Sequence, residues 1–229
     1  MNVAQPFDLR ATNWLLRRLK KYKDNRKRAL FEKAWAELFT KDDFLIYNLE
    51  TDLKIKLYKD SVLSQMIYDN SFEKTEISLI QKVIKKGDIF LDIGANVGLF
   101  SLYAGQLVGP KGKVVAFEPT LYIYNRMLDN AALNGITNIR AENIGLSDSA
   151  GTLNLNISEN GHDGWNTFAS SQNNLHSKSI AVPVNSLDNY LAENNIDAST
   201  IAFIKIDVEG WEVPVIKGAI ETIKSNSPI

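Results

Sequence analysis

The chain has 229 residues, 45% of them hydrophobic and 23% charged, with a formal net charge of −1, which suits one domain plus an elaboration and leaves enough apolar material for a core. It contains no cysteine, which excludes disulfides, thiolate metal sites and a cysteine nucleophile. No apolar run reaches bilayer length and no apolar stretch with a small-residue cleavage site opens the chain, so it reads as a cytoplasmic protein.

Charge is unevenly spread. Between Arg10 and Lys33 stand ten Lys/Arg against Asp24 and Glu32, so an acidic body carries a basic arm. Trp14, Leu15, Leu19, Leu30, Phe31, Ala34, Trp35 and Leu38 recur at helical spacing, interrupted near Lys23-Asp24-Asn25, which predicts two short amphipathic helices. Such an arm either meets a membrane surface, RNA or a polyanionic glycan carrier, or docks its aromatic stripe on the body or on a second subunit. The alternation over 44–58 predicts a β-hairpin. Asn70 followed by Glu73 has the spacing of a capping box for a helix that ends before Gly87. These segments set an N-terminal elaboration at about 1–70 and an α/β body over 71–229.

The body opens on Ile89-Phe90-Leu91-Asp92-Ile93-Gly94-Ala95-Asn96-Val97-Gly98. An apolar strand ends in an acid, Gly94 permits a tight turn with positive φ, and helical periodicity resumes over 97–108. Strand, glycine turn and helix in that order build a ligand site at the carboxyl end of a parallel sheet. A dinucleotide fingerprint would place a glycine where Asn96 stands. Asp92 adds a negative charge, better matched to a cationic ligand than to two phosphates. A second apolar run, Val114-Val115-Ala116-Phe117, ends in Glu118 twenty residues after Gly98, where a ribose-binding acid is expected. Together these features lean to S-adenosylmethionine over a nicotinamide dinucleotide.

A helix over 121–134 follows, then a third strand over 139–144, and an antiparallel strand over 151–157. The stretch 158–179 is polar, longer than compact domains usually carry, and reads as a lid because it includes Trp165 and Phe168. It also holds both histidines; His162 is either a general base or an ordinary surface histidine. A fourth strand, Ile201-Ala202-Phe203-Ile204-Lys205-Ile206-Asp207-Val208-Glu209, sets Phe203, Lys205, Asp207 and Glu209 on one face. Charges there either pair among themselves or open on a cleft. The sequence shows no metal-ligand cluster. A helix is expected over 212–226, after which little remains, so the fourth strand is expected to be an edge and the chain reads as truncated.

Five blocks in order, Phe90–Phe100, Ala116–Pro119, Asn143–Asp148, Ser186–Tyr190 and Ile204–Glu212, resemble the FkbM-type family of S-adenosylmethionine-dependent methyltransferases. The resemblance implies a Rossmann-like class I fold with a mostly parallel, doubly wound sheet. It implies methyl transfer to a hydroxyl, commonly on a sugar or secondary metabolite, so the expected partner is a small-molecule or glycan acceptor. Asp92, Gly94, Asn96 and Gly98 would hold the methionine half of the cofactor, Glu118 the ribose, and Asn143 would lie near adenine. Lys205, Asp207 and Glu209 would line the methyl-transfer end, where Lys205, with a pKa lowered by burial, and His162 are the candidate bases. An RNA ribose methylase and a non-catalytic fragment of a longer protein are the competing readings; nucleic acid is disfavoured because the chain lacks both the cysteine and the Asn/Asp-Pro-Pro-aromatic motif of base methylases.

Overall fold

The computed structural model describes residues 26–39, 42–70, 72–158, 166–169 and 177–226. The chain divides into two compact units, Met1–Leu45 and Ile46–Ile229, a division that falls earlier than the expected one near residue 70. In the first unit the second amphipathic arm segment is a helix over 26–38 (α1). Its i, i+4 aromatics meet as the spacing requires: Phe31 stacks on Trp35 at 6.2 Å, and Trp35 meets Phe39 edge-on at 4.8 Å. The first half of the arm lies outside the described residues.

Phe44–Asn48 (β1) and Lys54–Tyr58 (β2) form the expected two-stranded sheet, joined through a 3₁₀ turn at Glu50–Asp52. A short helix follows, Val62–Tyr68 (α2), whose Ser61 N-cap oxygen accepts from Ser64 N at 3.1 Å. Lys74–Val83 (α3) is the expected next helix, but Asn70 does not cap it. Glu73 occupies the N-cap in a left-handed conformation, φ 40° and ψ 39°, and makes no capping bond.

The second unit is built on four parallel strands. Ile89–Ile93 (β3), Lys113–Phe117 (β4), Ile139–Glu142 (β5) and Ile201–Ile206 (β9) run in the order β5-β4-β3-β9. The strands are apolar on both faces because helices cover both. Leu99–Val108 (α4) and Leu121–Leu133 (α5) lie on one side. On the other, Leu91, Ile93, Val115 and Phe117 pack with residues of Leu187–Glu193 (α6) and Glu212–Lys217 (α7) in one buried core. This is the doubly wound, Rossmann-like arrangement expected. The order reverses at β3, so a crevice opens between the carboxyl ends of β3 and β9, where such sheets bind ligands.

A second sheet carries Gly145–Leu146 (β6), Gly151–Ser158 (β7) and Ser177–Asn185 (β8) in the order β6-β8-β7. The antiparallel strand expected at 151–157 is β7, paired along its length with β8. β8 carries Pro183, which has no N–H to give to a ladder. The structure accommodates it: β6 pairs only Val184 and Asn185, so Pro183 is bonded on one side alone, opposite Thr152. The single helix expected over 212–226 is broken into α7 and Ile220–Asn226 (α8). Asp188 causes the break by accepting from Glu221 N (3.0 Å), Thr222 N (2.9 Å) and Thr222 Oγ1 (2.6 Å), which starts a new helix there. No helix among the described residues is long and apolar enough to cross a membrane.

Candidate active site

A cleft of about 240 Å³ lies at the switch point. Its floor is the turn after β3. Gly94 and Gly98 have φ of 76° and 84°, and Asn96 sits between them at φ 50°, the left-handed region that glycine and asparagine tolerate best. A Cβ on Gly94 would stand 1.9 Å from the Asp207 carbonyl oxygen, so the turns after β3 and β9 touch backbone to backbone.

The donors of this turn are already occupied. Gly94 N and Ala95 N both donate to Phe117 O (3.1 and 3.0 Å), Asn96 N to Glu118 Oε2 (3.1 Å), Val97 N to Asn96 Oδ1 (2.7 Å) and Gly98 N to Ala95 O (2.9 Å). Five consecutive N–H groups thus have internal acceptors. A pyrophosphate would need them free, so the turn is not an anion cradle. The side chains point the same way: Glu73, Glu118, Asp207 and Glu209 line the cleft against a single lysine, Lys205. The lining is anionic and suits a cation.

Register explains the lysine. Asp92 of β3 stands opposite Lys205 of β9, which places both side chains on one face of adjacent parallel strands. Asp92 is fully buried; it accepts from Ser101 Oγ at 2.6 Å and pairs with Lys205 Nζ at 3.3 Å. Lys205 Nζ also donates to Gly94 O at 2.9 Å, lies 3.6 Å from Asp207 Oδ2 and sits 5.1 Å from the centre of the Phe100 ring. Burial pulls its pKa down, but the charges of Asp92, Asp207 and Glu73 outweigh burial and hold it above the ordinary ammonium value. The expected lowered pKa is therefore reversed, and the lysine ties β9 to the glycine turn.

Glu118 ends β4 and is 6% exposed. Its oxygens accept from Thr120 N at 2.8 Å and Asn96 N at 3.1 Å. Burial nevertheless pushes its carboxyl up to about 7, against these bonds, a further one from the Thr120 side chain and the more distant Lys205, which lower it. The carboxylate keeps an acceptor site for a ribose hydroxyl, and a ribose donor favours the ionised form. Affinity for S-adenosylmethionine should therefore rise with pH up to about 7 and level off above it, as isothermal calorimetry across pH 5.5 to 8.5 would show. The same raised pKa has the opposite sign for the ligand-free protein: its stabilising contribution is complete below the unfolded value of 4.5 and is lost as pH rises through about 7.

Of the residues expected from sequence, Gly94, Asn96, Glu118, Lys205, Asp207 and Glu209 line the cleft. Three others stand behind it. Asp92 is the buried counter-ion just described. Gly98 is needed for packing, since a Cβ there would meet Met127 of α5 at 2.7 Å. Asn143 donates from Nδ2 to Glu118 O (2.8 Å) and Pro119 O (3.0 Å), so its amide clips the turn after β4 and does not reach the cleft wall. Asp207 and Glu209 lie beyond the end of β9, not on the strand; Glu209 and Gly210 turn the chain with φ of 40° and 82°. His162 and His176 lie outside the described residues. Asn166 and Phe168, from the expected lid, do line the cleft, and Thr167 Oγ1 donates to Glu209 O at 2.5 Å.

Sequence reasoning missed the opposite wall. Val62, Leu63 and Met66 of α2, from the segment assigned to the elaboration, close the cleft together with Phe72 and Glu73 at the start of the body. Ser61 before the apolar pair Val62-Leu63 was the available signal, an N-cap opening a short helix. Glu73 had none. Its carboxylate is half-buried, and burial, with the Asp207 carboxylate next, pushes it up to about 7.

A parallel sheet with an acid-lined crevice at its switch point, a glycine turn without free donors and a buried ribose-type acid has the form of the Rossmann-like class I fold that binds S-adenosylmethionine. The methyltransferase FkbM domain matches residues 92–229, and the chain belongs to that family. It is 32% identical to Methyltransferase sdnD of Sordaria araneosa, over 57% of this chain and 60% of the relative. It is 26% identical to the Hexuronic acid methyltransferase AglP of Haloferax volcanii, over 69% of this chain and 61% of that one. The chain thus spans about three fifths of the length of these relatives. Among solved structures, P. horikoshii TYW2 in complex with MeSAdo is 25% identical with a TM-score of 0.37, covering 47% of this chain and 38% of that one.

Proposed function

We propose that the protein methylates a hydroxyl group of a sugar or secondary metabolite, and that Glu73 receives the hydroxyl proton. Bound S-adenosylmethionine supplies the methyl as part of a sulfonium, which leaves the protein to orient the acceptor and take its proton. The observation that carries this reading is the Glu73 carboxylate: it lies on the cleft wall beside Asp207 and has no hydrogen bond among the described residues. A carboxyl with pKa about 7 is suited to accept a proton at neutral pH. An acceptor that is itself a carboxylate would have no proton to lose and would meet Glu73, Asp207 and Glu209 as like charges. A neutral hydroxyl meets neither difficulty. The hexuronic acid named for the Haloferax volcanii relative supports a sugar acceptor. His162 of the polar loop is the other candidate for the proton.

The test uses methyl-tritiated S-adenosylmethionine with p-nitrophenyl glucoside, galactoside and glucuronide and an RNA oligonucleotide. Label on a glycoside as an alkali-stable ether is the expected result; an alkali-labile ester, or label in RNA alone, overturns the hydroxyl-on-sugar reading. With the glycoside accepted, Glu73→Gln should lower kcat by about 10²- to 10⁴-fold. Cofactor affinity by calorimetry should stay within about twofold, and the rise of rate through pH about 7 seen in the parent should disappear. A variant that keeps the parental pH profile assigns the proton elsewhere.

A further inference from the structure

Next to the cofactor cleft lies a second cavity of about 250 Å³, sharing Phe72 and Leu99 with it. Nothing in the cofactor chemistry uses this space. Its deepest polar group is Tyr103, on α4 one turn beyond Leu99. Tyr103 is 4% exposed and lines the cavity, yet its hydroxyl has no hydrogen-bond partner among the described residues. The ring is buried but the hydroxyl oxygen opens on the cavity, so it is free to donate to, or accept from, what enters there.

We propose that this cavity binds the acceptor, and that the acceptor is a neutral hydroxylated ring of pyranose size; the inference rests on the hydroxyl-methylating reading above. Three observations select that chemistry. Tyr47, Phe72 and Tyr103 supply aromatic faces for the C–H side of a sugar ring. Asn70, Ser78 and Gln81 supply groups that both donate and accept, as ring hydroxyls demand. Among the described residues the charged side chains on the wall are Glu50 and Lys74, of opposite sign, so these add no net charge with which to select an ion. The wall between the two spaces is Phe72, and the next residue, Glu73, lines the cofactor cleft. The two spaces thus meet at Phe72, one residue along the chain from Glu73, and at Leu99.

The experiment is saturation-transfer-difference NMR of methyl α-D-glucopyranoside and methyl α-D-galactopyranoside with the protein, with and without S-adenosylhomocysteine. Parent, Tyr103→Phe and Ser78→Trp are compared, the last filling the cavity from α3. The expected result is saturation transfer to at least one glycoside in the parent, at least tenfold weaker binding in Tyr103→Phe and none in Ser78→Trp. Calorimetric affinity for S-adenosylhomocysteine should be unchanged in both, which also reports that they are folded. Glycoside binding equal in all three proteins, or absent from the parent, overturns the assignment. Binding that follows the expected pattern without any methyl transfer to a glycoside supports the cavity as a sugar site and refutes the hydroxyl-methylating reading. Methyl transfer to a glycoside with a KM unchanged in both variants does the reverse.

Discussion

Replacing Lys205 with methionine should destabilise the protein by about 3–5 kcal/mol, the usual consequence of leaving a buried charge without its partner. It should abolish measurable S-adenosylmethionine binding in the same variant. Asp92 is completely buried, and after the substitution only Ser101 Oγ faces it. Gly94 O loses its ammonium donor as well, so the turn that forms the cleft floor is released from β9. Removing the charge from both partners should restore much of the loss: in Asp92→Asn with Lys205→Met no isolated ion remains, and the amide can still bond Ser101. Urea unfolding of the parent, the two single variants and the double variant measures this as a thermodynamic cycle. A group serving only as a base would lose turnover without losing stability. If Lys205→Met unfolds at the parental urea concentration, the ion pair described here does not hold the turn.

Gly94→Ala is expected to weaken cofactor binding by more than about 100-fold, roughly 3 kcal/mol at 1.4 kcal/mol per decade. Two effects combine. At φ 76° any side chain is strained by about 1–2 kcal/mol. A methyl 1.9 Å from Asp207 O can be relieved only by moving the backbone of one of the two turns, because no flexible side chain lies between them. Gly87 separates the two effects. It also has a left-handed φ, 92°, but nothing lies within 4 Å of its would-be Cβ. Gly87→Ala should therefore cost only the conformational strain and leave cofactor affinity unchanged. Calorimetric affinities and melting temperatures of the two variants make the comparison; equal loss of binding in both would show that conformation, not contact with the Asp207 turn, is what position 94 requires.

What could be read from the sequence was whatever depends on near neighbours in the chain. The apolar run into Asp92, the glycines at 94 and 98 and the helical periodicity after them specify strand, turn and helix within about twenty residues. Glu118 follows at the spacing one βα unit imposes, and the alternation over β1, β2 and β7 marked those strands by the same local logic. Even the choice of a cation-binding turn over a pyrophosphate cradle was visible, since Asn96 replaces a glycine and Asp92 brings a charge.

Only the tertiary structure decided how these pieces are used. Lys205 and Asp92 lie more than a hundred residues apart, and a single parallel register makes the lysine a tie to the glycine turn. Gly98 and Asn143 stand within family motifs, yet they serve the packing of α5 and the turn after β4, which only their three-dimensional neighbours reveal. Pro183 sits within β8 because β6 is too short to need its missing donor. Nothing local to Glu73 or Tyr103 marks a site: their places there arise because α3 and α4 bring a carboxylate beside Asp207 and a phenol to a cavity wall. The physical reason is the same in each case. Periodicity and turn chemistry are short-range properties of a chain, whereas the charge state and bonding of a side chain are set by whatever the fold places within a few ångströms of it.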